Sequence, residues 1–526
     1  MAAATHSVTL DGLAGRPIEV EVDIGGGLPR TILVGLADTM VSEARDRCRS
    51  AVSNSGTTWP DQLVTINLAP STLPKTGSHY DLAIALAVFA AKSLVPAEQL
   101  AGSAFLGELA LDGRLRAIRG VLPATLAAAE AGFERVFVPE VNVPEAELVH
   151  GIAVVGVRSL RQTVALLTGG EEPDDPPVPP LDDSPSISWT SADRLAHLDL
   201  ADISGQEDSR LALLVAASGG HHLLMTGPPG IGKTMLAQRL PGLLPDLTYE
   251  QSLSVSAVHS VAGVLPSDAP LLTRPPFLDP HHTASAVSIV GGGSRVIRPG
   301  ALSLAHHGVL FLDEAPEFAS NVLEALRQPL ESGHVVVSRA AMTAAYPARF
   351  QLVLAANPCP CGLSSAVADQ CRCTPLMRRR YADRLSGPIR DRIDIHRSLT
   401  SITRPELVAS LAGARPTRDL VAFVVEARER QGRRLADTPW RLNSEVPGVD
   451  LRKRWPVHDG GRVLIDHELR TQKLNARSAD RILRLSWSIA DLRGHDIPSA
   501  DDVEAALSLR RGTALGGTLR DMVQAS

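Results

Sequence analysis

Apolar and polar positions in this chain repeat at two different periods, and the change of period divides it. Near the start, Ile18, Val20, Val22 and Ile24 alternate with Glu19, Glu21 and Asp23, the two-residue period of a half-buried strand. Val64, Ile66 and Leu68 repeat the pattern and predict a second strand. Residues 81–91 are apolar almost throughout, which predicts a helix. Leu109 to Leu115, with Asp112-Gly113 at its centre, predicts a hairpin with a two-residue turn. Residues 1–168 therefore read as an α+β domain.

Residues 169–185 are acidic and proline-rich, a composition that cannot bury a core, so 169–190 is predicted to be an extended linker. Beyond it, the runs Leu223–Met225, Val309–Leu312 and Leu352–Ala355 are apolar without alternation, as strands covered on both faces are. Helical stretches separate them, which predicts a parallel α/β core over 191–403. From 404 to 526 the strand signal fades and a small helical lid is expected.

Composition narrows this picture. With 526 residues, 44% hydrophobic and 21% charged, the chain has material for several cores and no bias towards disorder. A net charge of −6 means that any nucleic-acid contact must come from a local basic surface. The longest apolar run, Leu82 to Ala91, ends at Lys92, well short of a membrane span, and no basic segment followed by an apolar run opens the chain. A soluble cytoplasmic protein with no membrane partner is expected. Lysine is scarce, at 75, 92, 233, 453 and 473 alone.

The clearest chemistry lies at Gly227-Pro228-Pro229-Gly230-Ile231-Gly232-Lys233-Thr234, after the apolar strand 223–226 and before the helical stretch 235–240. That is the context of a Walker A loop: glycines let backbone amides turn towards a triphosphate, and the helix N-terminus faces the anion. Lys233 is then expected on the β- and γ-phosphates and Thr234 on Mg²⁺. Gly308 to Glu314 supplies an apolar strand ending in two carboxylates, predicted to lie beside the P-loop as Walker B, with Asp313 serving Mg²⁺ and Glu314 activating water. Asn357, at the tip of the 352–356 strand, is the expected γ-phosphate sensor. Arg392 is the candidate finger for a neighbouring subunit's nucleotide, and Arg477, paired with Arg481 four residues on, the candidate that closes over the γ-phosphate. Cys359-Pro-Cys361 and Cys371-Arg-Cys373 offer four thiolates, enough for a structural zinc; four reduced cysteines in a loop is the alternative.

Several further stretches, Pro280-His-His-Thr283, Gly291-Gly-Gly-Ser294, Arg298-Pro-Gly300, Ser303-Leu-Ala-His306, Asn357-Pro-Cys-Pro-Cys-Gly362 and Ser386-Gly-Pro388, resemble the ComM/YifB group of Mg-chelatase-like AAA+ proteins over nearly the whole chain. The resemblance implies an AAA+ module with a helix-2 insert, a homohexameric ring, and ATP-powered branch migration of DNA recombination intermediates in recombination or natural transformation. It also implies an adenine-side box at Asp202-Ile203-Ser-Gly205-Gln206, with Ile203 touching the base. Departures stand at Ala301, where the group usually has an acid, at His307, usually asparagine, and at Arg390, usually apolar.

Through Leu73 to Asp81 and Gly107 to Arg114, the first region is similar to the Lon protease C-terminal fold. A working protease of that kind needs a Ser-Lys dyad, but the nucleophile position falls on His79, with Ser78 one residue early, and the lysine position falls near Leu122. A non-proteolytic scaffold or DNA-handling surface is expected instead.

Three functions stay open at this level: a DNA motor, a chelatase-type ATPase that remodels a protein partner, and a protein unfoldase. Candidate DNA contacts are Arg295, Arg298 and a pore hairpin at Val335 to Arg339.

Overall fold

The computed structural model describes residues 2–35, 39–73, 75, 77–181, 195, 197–293, 296–339, 342–364, 371–401, 414–516, 520 and 522. The first domain contains β1 (Ala2–Asp11), β2 (Ala14–Gly25), β3 (Arg30–Val34), β4 (Leu63–Ala69) and β5 (Ser103–Phe105). A small hairpin, β6 (Glu108–Leu109) and β7 (Leu115–Arg116), precedes β8 (Arg135–Pro139) and β9 (Ala153–Val157). Seven of these strands form one mixed sheet in the order β3-β4-β2-β1-β5-β8-β9.

The alternation read from the sequence sets which face is buried. Ile18, Val20 and Val22 of β2, with Val64, Ile66 and Leu68 of β4, share a core with the helix Asp81–Ala91. Each such side chain contributes about 1.5–3 kcal/mol through removal from water. Strand β1 follows another rule: its Thr5, Ser7 and Thr9 are buried, Thr5 Oγ1 donating to the Ala83 carbonyl (2.9 Å) and Tyr80 donating to Thr9 (3.0 Å).

Two sequence expectations need correction here. The Asp-Gly hairpin has a three-residue loop, 111–113, closed by Ala110 N–H donating to the Arg114 carbonyl at 2.8 Å. A two-residue turn would set buried Leu109 opposite exposed Arg116, whereas the observed register pairs Leu109 with buried Leu115 and leaves Leu111 exposed. The proline-rich segment is also not wholly solvated. Up to residue 181 it has no regular structure, yet Asp175 and Val178 are buried against the first domain, and the Asp175 carboxylate accepts from Ser159 and Arg161.

The second domain is a five-stranded parallel sheet of β10 (Leu223–Thr226), β11 (Phe277–Leu278), β14 (Val309–Leu312), β17 (Gln351–Ala356) and β18 (Ile395–Ser398), ordered β11-β14-β17-β10-β18. Two hairpins interrupt it: β12 (Gly291–Gly292) with β13 (Arg298–Pro299), and β15 (His334–Arg339) with β16 (Met342–Pro347). The acidic end of β14 meets the P-loop, where Asp313 accepts from Thr234, although β17 stands between β14 and β10 in the sheet. All six residues of β17 are buried, so it takes the centre of the sheet.

The C-terminal region is helical, with Thr417–Arg434, Gly448–Arg454, Asp459–Arg470, Ala476–Arg493 and Ala500–Arg511. Leu420, Val424, Ile482 and Trp487 share one hydrophobic cluster with Leu223, Leu236 and Ile395, so this region packs onto the parallel sheet. No helix among the described residues is long and apolar enough to cross a membrane.

The first domain packs against the second through its helix Val121–Glu130 and the helix Tyr249–Ala262. Ser260 donates to the buried Glu145, and Tyr249 to the Leu148 carbonyl at 2.7 Å.

Candidate nucleotide site

Ligands of open parallel sheets sit at the carboxyl ends of the strands, and the second domain gathers its polar side chains there. The helix Lys233–Arg239 follows β10 through the 227–232 loop. Gly230 and Gly232 have φ of +74° and +97°, and a Cβ at either would meet nothing within 4 Å, which leaves an open cradle above the loop. Lys233 lies nearly buried across this loop. Its Nζ donates to the carbonyls of Gly227 (2.7 Å) and Pro228 (3.0 Å) and to Oδ1 of Asn357 (3.0 Å). Burial pulls its pKa below the ordinary lysine value, and the carboxylates of Asp313 and Glu314 oppose that shift.

Thr234 Oγ1 donates to Asp313 Oδ2 at 2.6 Å. A hydroxyl beside a carboxylate is a hard oxygen pair of the kind that Mg²⁺ takes, and the two stand at the mouth of the glycine cradle. Glu314 follows with φ +49° and ψ +42°. For a residue other than glycine this conformation costs roughly 1–3 kcal/mol, and such strain gathers at functional sites. It sets the Glu314 carboxylate 3.3 Å from His282 Nδ1.

Pro229, Gly230, Gly232, Lys233, Thr234, Asp313, Glu314 and Asn357 line one cleft of 800 Å³. The same cleft is walled by Asp279, Pro280, His281 and His282, which had no assigned role. The signal was present in the Pro280-His-His-Thr283 motif; what was missing was that β11, just before it, pairs directly with the Asp313 strand.

Ile203 and Arg477 do not line this cleft, and neither does Arg392, which was expected to act on a neighbouring subunit. Ile203 is buried in the hydrophobic core and does not line the cleft; its neighbour Asp202 pairs with Arg239 on the P-loop helix (3.4 Å). Arg477 does not reach over the P-loop: it joins Arg392 in a second cleft of 740 Å³ that shares no lining residue with the first. Arg349, Arg428, Arg481 and Arg484 complete its arginine lining. Arg392 pairs with Glu331 and donates to the Pro388 carbonyl (2.7 Å). Its pKa is lowered by burial first, then by Arg327, Arg481 and Arg477. Arg481 is held by buried Asp394 at 2.6 Å, whereas Arg477 is exposed.

Of the candidate DNA contacts, Arg298 is exposed on β13, while Arg295 and the Arg339 side chain lie outside the described residues. Val335 and Val337 face inward and Val336 outward on the β15–β16 hairpin. In the first domain, Ser78 donates to Glu108, His79 Nε2 donates to the Val8 carbonyl (2.8 Å), and Leu122 is fully buried. The four cysteine sulfurs lie within 4.8 Å of one another.

A P-loop on a parallel sheet of this strand order, an asparagine-tipped strand between the lysine loop and the acidic strand, and a helical lid define a Mg-chelatase-like AAA+ protein. Sequence comparisons agree. Family models described as magnesium chelatase subunit ChlI match residues 199–407, with its C-terminal part at 414–510 and a further ChlI model at 20–142. Within that class the chain belongs to the ComM/YifB group. It is 39% identical to the uncharacterized protein YifB of Escherichia coli over 96% of each chain. It is 37% identical to the competence protein ComM of Haemophilus influenzae over 99% of each. An uncharacterized protein of Mycobacterium tuberculosis is 48% identical over 96% of this chain and 98% of its own.

Proposed function

We propose that this protein is an ATP hydrolase that works as a ring of identical subunits and moves DNA, converting branched recombination intermediates. The observation that carries the hydrolase is the joining of Lys233, Thr234, Asp313, Glu314 and Asn357 in one cleft from three separate strands. Backbone amides of the 227–232 loop and the Lys233 ammonium hold the phosphates. Thr234 and Asp313 would hold Mg²⁺, which would supply charge neutralisation on the triphosphate. Glu314 takes the proton of the attacking water, Asn357 orients that water, and ADP and phosphate leave. His282, in contact with Glu314, fixes its rotamer.

The second cleft supports the ring reading. Arg392 and Arg477 share no lining with their own P-loop, which supports their acting on the nucleotide of an adjacent subunit. Hydrolysis then requires a neighbour. DNA as the substrate rests on full-length similarity to a competence protein. Remodelling of a protein partner is the second reading, favoured by the chelatase descriptions of the matching family models. ATPase assays with and without branched DNA separate the two: the DNA-motor reading expects stimulation, and a rate indifferent to DNA favours a protein partner.

A further inference from the structure

Cys359 begins three residues beyond the end of β17, directly after Asn357 and Pro358. Its Sγ lies 3.3 Å from that of Cys361 and 3.7 Å from that of Cys371, and Cys361 and Cys371 are 3.6 Å apart. A disulfide would need about 2.05 Å. A tetrahedral zinc with bonds of about 2.3 Å sets its sulfurs roughly 3.8 Å apart, which is close to what the chain holds. Cys359 and Cys373 are buried while Cys361 is exposed, so the group sits at the surface with one side sealed by protein.

The surroundings match a thiolate centre. The backbone amide of Ser364 bonds the Cys359 sulfur, that of Leu363 the Cys361 sulfur, and that of Cys361 the Cys373 sulfur. Such donors disperse the negative charge of four thiolates and fix their directions. Arg378 Nε closes the far end by donating to the Cys373 carbonyl at 3.2 Å.

The loop also touches the nucleotide cradle. Gly362 has φ +79°, and a Cβ there would come within 2.6 Å of Pro229 Cδ, so the backbone of the cysteine loop rests on the P-loop itself. The other end of the same segment is Asn357, which holds Lys233. One short stretch, 357–362, therefore presses the P-loop at both Pro229 and Lys233.

We propose that Cys359, Cys361, Cys371 and Cys373 bind one structural Zn²⁺ that clamps residues 357–362 against the P-loop, so that metal occupancy sets nucleotide affinity. This rests on the nucleotide-site reading above. Without the metal, Cys359 and Cys361 lose their tie to 371–373, and the segment that carries Asn357 and Gly362 is no longer braced.

The test uses the full-length protein, purified without chelator. Metal analysis is expected to find about one zinc per chain. Stripping the zinc, removing the chelator and supplying excess Mg²⁺ should weaken binding of a fluorescent ATP analogue on the order of tenfold, and added Zn²⁺ should restore it. Gly362→Ala should keep its zinc and still bind the analogue more weakly. Protein without zinc overturns the site. Complete zinc loss with unchanged affinity overturns the clamp. Zinc-loaded wild type that never binds the analogue instead defeats the nucleotide reading, and the metal count alone then decides the cysteine site.

Discussion

Thr234 and Asp313, 79 positions apart in sequence, meet at 2.6 Å where the P-loop helix faces the end of the acidic strand. The intervening strand, β17, is followed directly by Asn357, whose Oδ1 accepts from Lys233. The three strands thus deliver cation, hydroxyl, carboxylate and amide to one point.

Lys233→Ala removes the ammonium from that point. Calorimetric titration should find ATP binding lost or weakened by at least about 100-fold, as expected when a charged group on phosphate is deleted from a buried position. Glu314→Gln should behave differently, keeping ATP binding while hydrolysis falls on the order of 100- to 10,000-fold, the range of a lost general base. Unchanged ATP affinity in Lys233→Ala would remove the P-loop assignment.

How much of this was legible in sequence depends on how local each signal is. Walker A lies within eight consecutive residues, so loop, lysine and helix order sufficed. The buried face of β2 was equally plain, because Ile18, Val20 and Val22 alternate with acids. Strand β1 was hidden, since its inward face is Thr5, Ser7 and Thr9, which are buried through hydrogen bonds rather than apolarity. Strand order was hidden too: nothing near Val309–Leu312 tells that β17 comes between it and the P-loop strand. The separation of Arg477 from the nucleotide cleft depends on how the lid docks, which Asp394 and Arg481 fix across 87 residues. His307 has φ +55°, a region that histidine, like asparagine, enters more often than most residues.

Arg392 offers a test of the ring. Arg392→Ala should bind ATP like wild type and fail to hydrolyse it. Mixed at equal amounts with wild type, it should lower activity below the half expected when each defective subunit costs one site, since sites coupled around a ring stall when one is silenced. A strictly proportional loss would mean that the sites fire independently of one another.

Acid should destabilise the second domain through histidines kept neutral by burial. His222, His259, His307 and His396 are each lowered to about 4 and His306 to about 2, with desolvation the largest cause in all five. His222 Nδ1 accepts from Leu352 N–H at 3.0 Å and His306 Nδ1 from Arg349 N–H at 3.1 Å, bonds that protonation would forbid. In the unfolded chain these rings take a proton near pH 6.5, while the folded protein refuses it until about pH 4. The unfolded state therefore binds more protons in that window, and stability is full above about pH 6.5 and falls as pH drops towards 4. Thermal midpoints measured from pH 8 to pH 4 should decline chiefly below 6.5. His222→Asn, whose amide oxygen can take the Leu352 bond, should flatten the slope. A midpoint flat down to pH 4 would show that these rings are accessible to protons in the folded state.

A motor of this kind must couple ATP hydrolysis to the movement of DNA. The direct measurement is conversion of a labelled four-way junction to its duplex products at low salt, where phosphate contacts are strongest. Wild-type protein with ATP and Mg²⁺ should convert the junction, Glu314→Gln should bind it without converting it, and rising salt should weaken binding steeply. Wild-type protein that hydrolyses ATP yet leaves the junction intact, at a rate indifferent to DNA, would contradict the account.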